Sequence, residues 1–172
     1  MRKRWLLYAI QICAASSLIL LLLNPLAQGN ELTKLALDDA PSLGTTVSTD
    51  PTVKQEGNGS IRISTVWPTT ICLGEVQELN VENAQIIYRA KVKSEKLEGT
   101  VFLEMWCHVG GRQYFSRGLN SVVTGTMDWR TLQTLFFLQP GQNAKKATLN
   151  IVINGKGTVW VDDVHLLKEP LK

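Results

Sequence analysis

Glu104, Trp106 and His108 occupy alternate positions in the segment 101–108, so an extended chain there sets a carboxylate, an indole and an imidazole on one face. Val101, Leu103, Met105 and Cys107 then share the other. Catalysis needs more than this. Cys107 and His108 are adjacent, and on a strand their side chains point to opposite faces, so they form no nucleophile–base pair. His165, the other of two histidines, has no Cys or acid at metal-ligand spacing. Gly-x-Ser-x-Gly, His-Glu-x-x-His and a Gly-rich phosphate loop opening a helix are all missing from the sequence. Glycoside hydrolysis uses two carboxylates about 5–9.5 Å apart. Glu104 is the one acid on this face with no evident partner, and no enzyme is expected.

The elements that position these residues read as strands. From about Gly44 the chain becomes short runs rich in Val, Ile, Thr and aromatics, punctuated by Gly, Asn and Pro. Alternation places Ile61 and Ile63 opposite Arg62, and Ile86, Tyr88, Ala90 and Val92 opposite Arg89 and Lys91. Likewise Ala147, Leu149, Ile151 and Ile153 oppose Thr148, Asn150, Val152 and Asn154. In the last strand Val159, Val161 and Asp163 oppose Trp160, Asp162 and Val164. The Asn154-Gly155 pair offers the positive φ angles of a tight hairpin, which predicts that 147–154 and 158–167 are antiparallel neighbours. Eight or nine strands with no convincing amphipathic helix argue for an all-β antiparallel sandwich or jelly roll.

The N-terminus differs in kind. Arg2, Lys3 and Arg4 lead into a charge-free apolar run at 5–23, about the length that crosses a hydrocarbon core. It reads as one apolar helix, either an uncleaved anchor or a signal segment cut near Ala27-Gln28-Gly29. Both readings put residue 30 onward outside the cytoplasmic membrane, by the positive-inside rule. Cys13 lies mid-run without preceding small residues, which argues against a lipid-modified cysteine. The expected division is 1–29 as signal or anchor, 30–43 as linker with a brief amphipathic turn, 44–168 as the sandwich and 169–172 as a tail. The formal charge of +3 resides in the basic tip, leaving 15 cations and 15 anions in the rest. Without a basic cluster nucleic acid is not an expected partner. Cys72 and Cys107 are left in the exported part, as a disulfide or as two buried thiols. The second is favoured because they show no framework spacing.

The segment 155–166 (GKGTVWVDDVHL) resembles the closing strand of carbohydrate-binding modules of the galactose-binding-like jelly-roll class. Asp50 and the segment 59–63, the segment 88–92, and Asp128-Trp129-Arg130-Thr131-Leu132 fit the same template in order, so that the resemblance covers roughly 44–168. It implies a sheet face that binds sugar through Trp106, Glu104 and His108, with Arg89, Tyr114, Arg117 and Asn150 brought nearby by strand pairing. Trp129 and Trp160 recur in that class as packing residues. Some members hold a structural calcium, for which Asp50, Asp162 and Asp163 are the candidate ligands; no other cofactor is expected. The function expected is a non-catalytic extracytoplasmic binding module of a bacterial envelope, for carbohydrate or another polar envelope ligand. The alternative is a structural or protein-interaction domain of the envelope. The membrane itself is a partner only through the N-terminal helix.

Overall fold

The computed structural model describes residues 30–35 and 47–171; the apolar segment expected as a helix lies outside these. Eight antiparallel strands are present among the described residues. They are β1 (Asn30–Leu35), β2 (Val47–Asp50), β3 (Ser60–Thr65), β4 (Thr69–Val76), β5 (Ala84–Val109), β6 (Arg112–Arg117), β7 (Val123–Leu138) and β8 (Ala144–Pro170). Two of them are far longer than an ordinary strand. β5 and β8 have 26 and 27 residues and pair from Ala84↔Pro170 through to Val109↔Ala144. A straight strand of that length spans about 85 Å, several times the radius of a domain this size, so the pair must fold over.

The fold-over is where the glycines are. The register of β5 against β8 breaks between Glu95 and Glu98, where Lys96 has φ 51° and Gly99 φ 127°, facing Gly155 and Gly157 across the ladder. A Cβ on Gly99 would collide with the carbonyl oxygen of Asn154. Only a residue without a side chain lets the two backbones cross so closely at the bend.

The bend creates two layers. In the first, the later half of β8 lies between β3 and the early half of β5; β2 pairs with β3, β1 with the end of β8, and β7 with β5. In the second, the order is β4, early β8, late β5, β6. Ile86, Tyr88, Ala90 and Val92 of one layer and Leu103, Met105, Leu149 and Ile151 of the other join a single core cluster with no exposed surface. Burying a side chain of this size contributes roughly 1.5–3 kcal/mol each, which is the force closing the layers. Tyr88 is fully buried among them, and its hydroxyl finds no partner among the described residues.

Three expectations about the strands need correction. Asn154-Gly155 is not a hairpin: 147–154 and 158–167 are halves of one strand in different layers, and each pairs with β5 instead of with the other. The segment 30–35, expected as linker, is a strand hydrogen-bonded to β8. The alternation in the last strand also slips. Asp163 has φ 52°, so after Val159 and Val161 the inward positions become Val164 and Leu166 rather than Asp163. Cys72 and Cys107 are free thiols. Only Cys107 is buried, where burial pushes its thiol up to about 12.

Candidate functional site

The outward face of the second layer is built by register. Glu104 lies between Asn150 of β8 and Arg117 of β6, Trp106 between Thr148 and Phe115, and His108 between Lys146 and Gln113. Three rows of side chains therefore cross three strands about 4.8 Å apart. The inward-facing partners Leu103, Met105 and Cys107 are completely buried, and this fixes which face of β5 the polar row must take.

Glu104 is the hub. Its Oε1 accepts the Trp106 Nε1–H at 2.7 Å and the Asn150 Nδ2–H at 3.3 Å, while its Oε2 accepts Arg117 Nε–H at 2.6 Å. Glu104 is 5 % exposed and Asn150 is also buried, so the carboxylate sits below the surface with donors on both oxygens. Burial pushes its pKa up. The hydrogen bonds from Arg117, Trp106 and Asn150, with the charge of Arg117, outweigh that and hold the carboxyl below its ordinary range. Glu104 therefore stays ionised and positions its neighbours.

Those neighbours form the accessible part. The Trp106 indole is half-buried, with its N–H turned inward to Glu104. Phe115 is 52 % exposed, with its ring centroid 5.2 Å from that of Trp106 and tilted by 48°. The Arg117 guanidinium lies over the Phe115 ring at 4.7 Å. The result is a pair of angled aromatic surfaces flanked by a half-exposed guanidinium. His108 adds an imidazole whose Nε2 is 3.3 Å from the Gln113 amide. Phe115 was missed in the sequence, although alternation along β6 opposite Glu104, Trp106 and His108 would have selected Gln113, Phe115 and Arg117.

Of the residues expected together, Trp106, Glu104, His108, Arg117 and Asn150 share this face. Arg89 and Tyr114 do not. Arg89 is in the first layer between Gln133 and His165, because the bend intervenes. Tyr114 is opposite Cys107 and so points to the other side of β6 from Phe115.

The three aspartates are committed to the protein's own donors. Asp50 Oδ1 accepts the Thr52 and Val53 N–H groups and the Thr52 hydroxyl, and Oδ2 accepts the Trp160 indole N–H at 2.9 Å. The Trp160 and Thr52 hydrogen bonds pull its pKa far down. Asp162 Oδ2 accepts Gln55 and Glu56 N–H, and Oδ1 accepts Asp163 N–H. Asp163 and Glu31 flank the two nitrogens of His165 at 2.6 Å each, which ties β1 to β8. Among the described residues, no group of three or more His, Cys, Asp or Glu side chains is placed to hold a metal ion.

Neither a protein-family model nor a curated protein sequence matches the chain. Solved structures do. The xylan-binding CBM22-1 domain of Paenibacillus barcinonensis Xyn10C aligns with a TM-score of 0.55 at 14% identity, covering 84% of this chain and 97% of that one. A family 16 carbohydrate-binding module aligns with a TM-score of 0.52 at 16% identity, over 74% of this chain and 89% of that one. The fold is that of the carbohydrate-binding-module β-sandwich. It also aligns with the Clostridium thermocellum xylanase 10B CBM22-1–GH10 structure complexed with xylohexaose, with a TM-score of 0.58 at 11% identity. That match covers 82% of this chain but 29% of the other, which also carries an enzyme domain. At these identities the likeness concerns the sandwich, and its site must be judged from its own side chains.

Proposed function

We propose that the protein is a non-catalytic carbohydrate-binding module displayed outside the cytoplasmic membrane, and that the face around Trp106 is its binding surface. The observation that carries this is the angled Trp106–Phe115 pair beside Arg117, with Trp106 and Arg117 held from beneath by Glu104 and Phe115 packed against both. A pyranose has an apolar C–H face that packs on an aromatic ring and a rim of hydroxyls that need hydrogen-bonding partners. The aromatic pair supplies the first, and Arg117, His108, Gln113 and Thr148 supply the second. The residues that hold the platform are fixed by buried hydrogen bonds, so little ordering entropy is lost on binding.

Catalysis finds no support in this geometry. Glu104 is ionised and fully engaged, which removes it as a proton donor, and the neighbouring chains that match over nearly their whole length are binding modules. The export segment at 5–23 supports a location at or beyond the membrane surface. A glycan array probed with the full chain tests the reading, with Trp106→Ala as the comparison. Retention of every glycan signal by that variant would remove the platform from the account.

A further inference from the structure

Tyr114 and Phe115 are neighbours on β6 and face opposite ways, and the side that Tyr114 faces is also a cleft. It lies where the edge strands β6 and β7 of the two layers part, next to the point where Ser116 Oγ bonds Thr134 Oγ1 at 2.7 Å and the Leu135 carbonyl at 2.5 Å. The cavity is about 430 Å³, lined among others by Arg112, Tyr114, Phe136, Phe137 and Gln142. That is within the roughly 300–1,000 Å³ typical of small-molecule sites. Tyr114 and Phe137 are 45 % and 55 % exposed, well beyond what core packing asks of a Tyr and a Phe.

The one charged side chain in this lining is a cation, Arg112. Arg112 meets no carboxylate among the described residues. The Gln142 side-chain oxygen already accepts the Gln139 N–H at 2.8 Å. The acid of the adjoining loop, Glu82, accepts the Gly141 N–H and is not part of the lining. A cleft with aromatic walls, a guanidinium without a counter-charge and no acid suits a ring that brings its own negative charge. The Trp106 face differs in this respect, because Arg117 there is neutralised by Glu104.

We propose that this cleft is a second carbohydrate site, specific for a pyranose bearing a carboxylate: Arg112 takes the carboxylate in a two-point bond, and Tyr114 packs on the ring. The proposal rests on the reading of the protein as a carbohydrate-binding module, and makes β6 a strand with one site on each side. An isolated neutral sugar would leave Arg112 without a partner, whereas a guanidinium–carboxylate fork is both directional and strong.

The test is calorimetric titration of the full chain with hexagalacturonate, xylohexaose and triglutamate, at low and high salt. Arg112→Gln and Tyr114→Ala should each weaken hexagalacturonate about ten-fold or more, and added salt should weaken it further. Trp106→Ala should leave that interaction unchanged while removing any response to xylohexaose. Binding of hexagalacturonate that is indifferent to Arg112→Gln overturns the assignment. So does equal binding of triglutamate, which would make the cleft a site for carboxylates in general. A Trp106-dependent response to neutral glycan with no response to hexagalacturonate overturns this second site alone; no carbohydrate response at either place overturns both readings.

Discussion

Replacing Arg117 by Gln removes one donor from a carboxylate that remains buried, and its effect can be worked out from the geometry. Glu104 is 5 % exposed and takes its shortest hydrogen bond, 2.6 Å, from Arg117. A charge-assisted bond contributes about 1.5–3 kcal/mol. The Arg117 side chain is 46 % exposed, so water takes over part of its role, and the lower end applies. Arg117→Gln should therefore destabilise the protein by about 1.5 kcal/mol at neutral pH, measured by urea unfolding. The pH dependence follows in sign from the lowered pKa of Glu104. Its contribution is fully present above the ordinary value near 4.5 and is lost as pH falls through the lowered value. The gap between wild type and Arg117→Gln should therefore narrow in strong acid. Glu104→Gln combined with Arg117→Gln should be less damaging than the two single changes added together, by on the order of 1 kcal/mol. Additive effects to within about 0.3 kcal/mol, or a gap that is constant from pH 7 down to pH 2.5, would refute the hub role of Glu104.

Other expectations follow from single features. Gly99→Ala puts a Cβ against the Asn154 carbonyl at a positive φ and should destabilise by about 3 kcal/mol or more, read as a fall in the urea midpoint; a change under about 1 kcal/mol contradicts the close crossing. Tyr88→Phe removes a buried hydroxyl with no partner among the described residues, and should leave stability unchanged or raise it by up to about 1 kcal/mol; a loss above that shows that the hydroxyl is satisfied. Iodoacetamide on the native protein at pH 8 should modify Cys72 and spare Cys107, whose thiol is raised to about 12 by burial, as read by peptide mass spectrometry; rapid alkylation of Cys107 refutes its burial. Asp50→Asn should loosen the loop after β2, because the Thr52, Val53 and Trp160 donors lose a charged acceptor; faster amide exchange at 52–56 checks this, and unchanged exchange there speaks against the tie.

The sandwich was legible because alternation is a local property. Ile86, Tyr88, Ala90 and Val92, and likewise Leu103, Met105 and Cys107, are inward as their spacing predicts. What local spacing could not carry was the path between strands. Asn154-Gly155 has the composition of a hairpin, yet here a Gly at 99 opposite Gly155 and Gly157 bends a continuous pair. That distinction depends on residues more than 50 positions apart. The slip at Asp163 is similar: a single residue at positive φ reverses the parity, and an Asp-Asp pair does not announce which of the two does so. At the site, Trp106, Glu104, Arg117 and Asn150 came together because three adjacent strands share one face. Arg89 was expected with them through the strand pairing that the resemblance implies, which fails because Arg89 belongs to the half of β5 that lies in the other layer. Tyr114 failed by one position of alternation, since β6 is short and exposed along nearly its whole length and gives no inward signal of its own.

The claim on which the rest depends is that the half-buried Trp106 and the exposed Phe115 of the second layer recognise sugar. Isothermal titration of the full chain with the neutral glycans that score on an array, repeated with Trp106→Ala and Phe115→Ala, tests it most directly. Saturable binding that each substitution weakens at least ten-fold is the expected result; Phe115→Ala should move the unfolding midpoint little, because its ring is 52 % exposed, whereas Trp106→Ala also takes a donor from Glu104 and should lower the midpoint, so both variants are titrated well below it. Glycan binding of wild-type strength in both variants, or no binding to any glycan by a correctly folded protein, would contradict it.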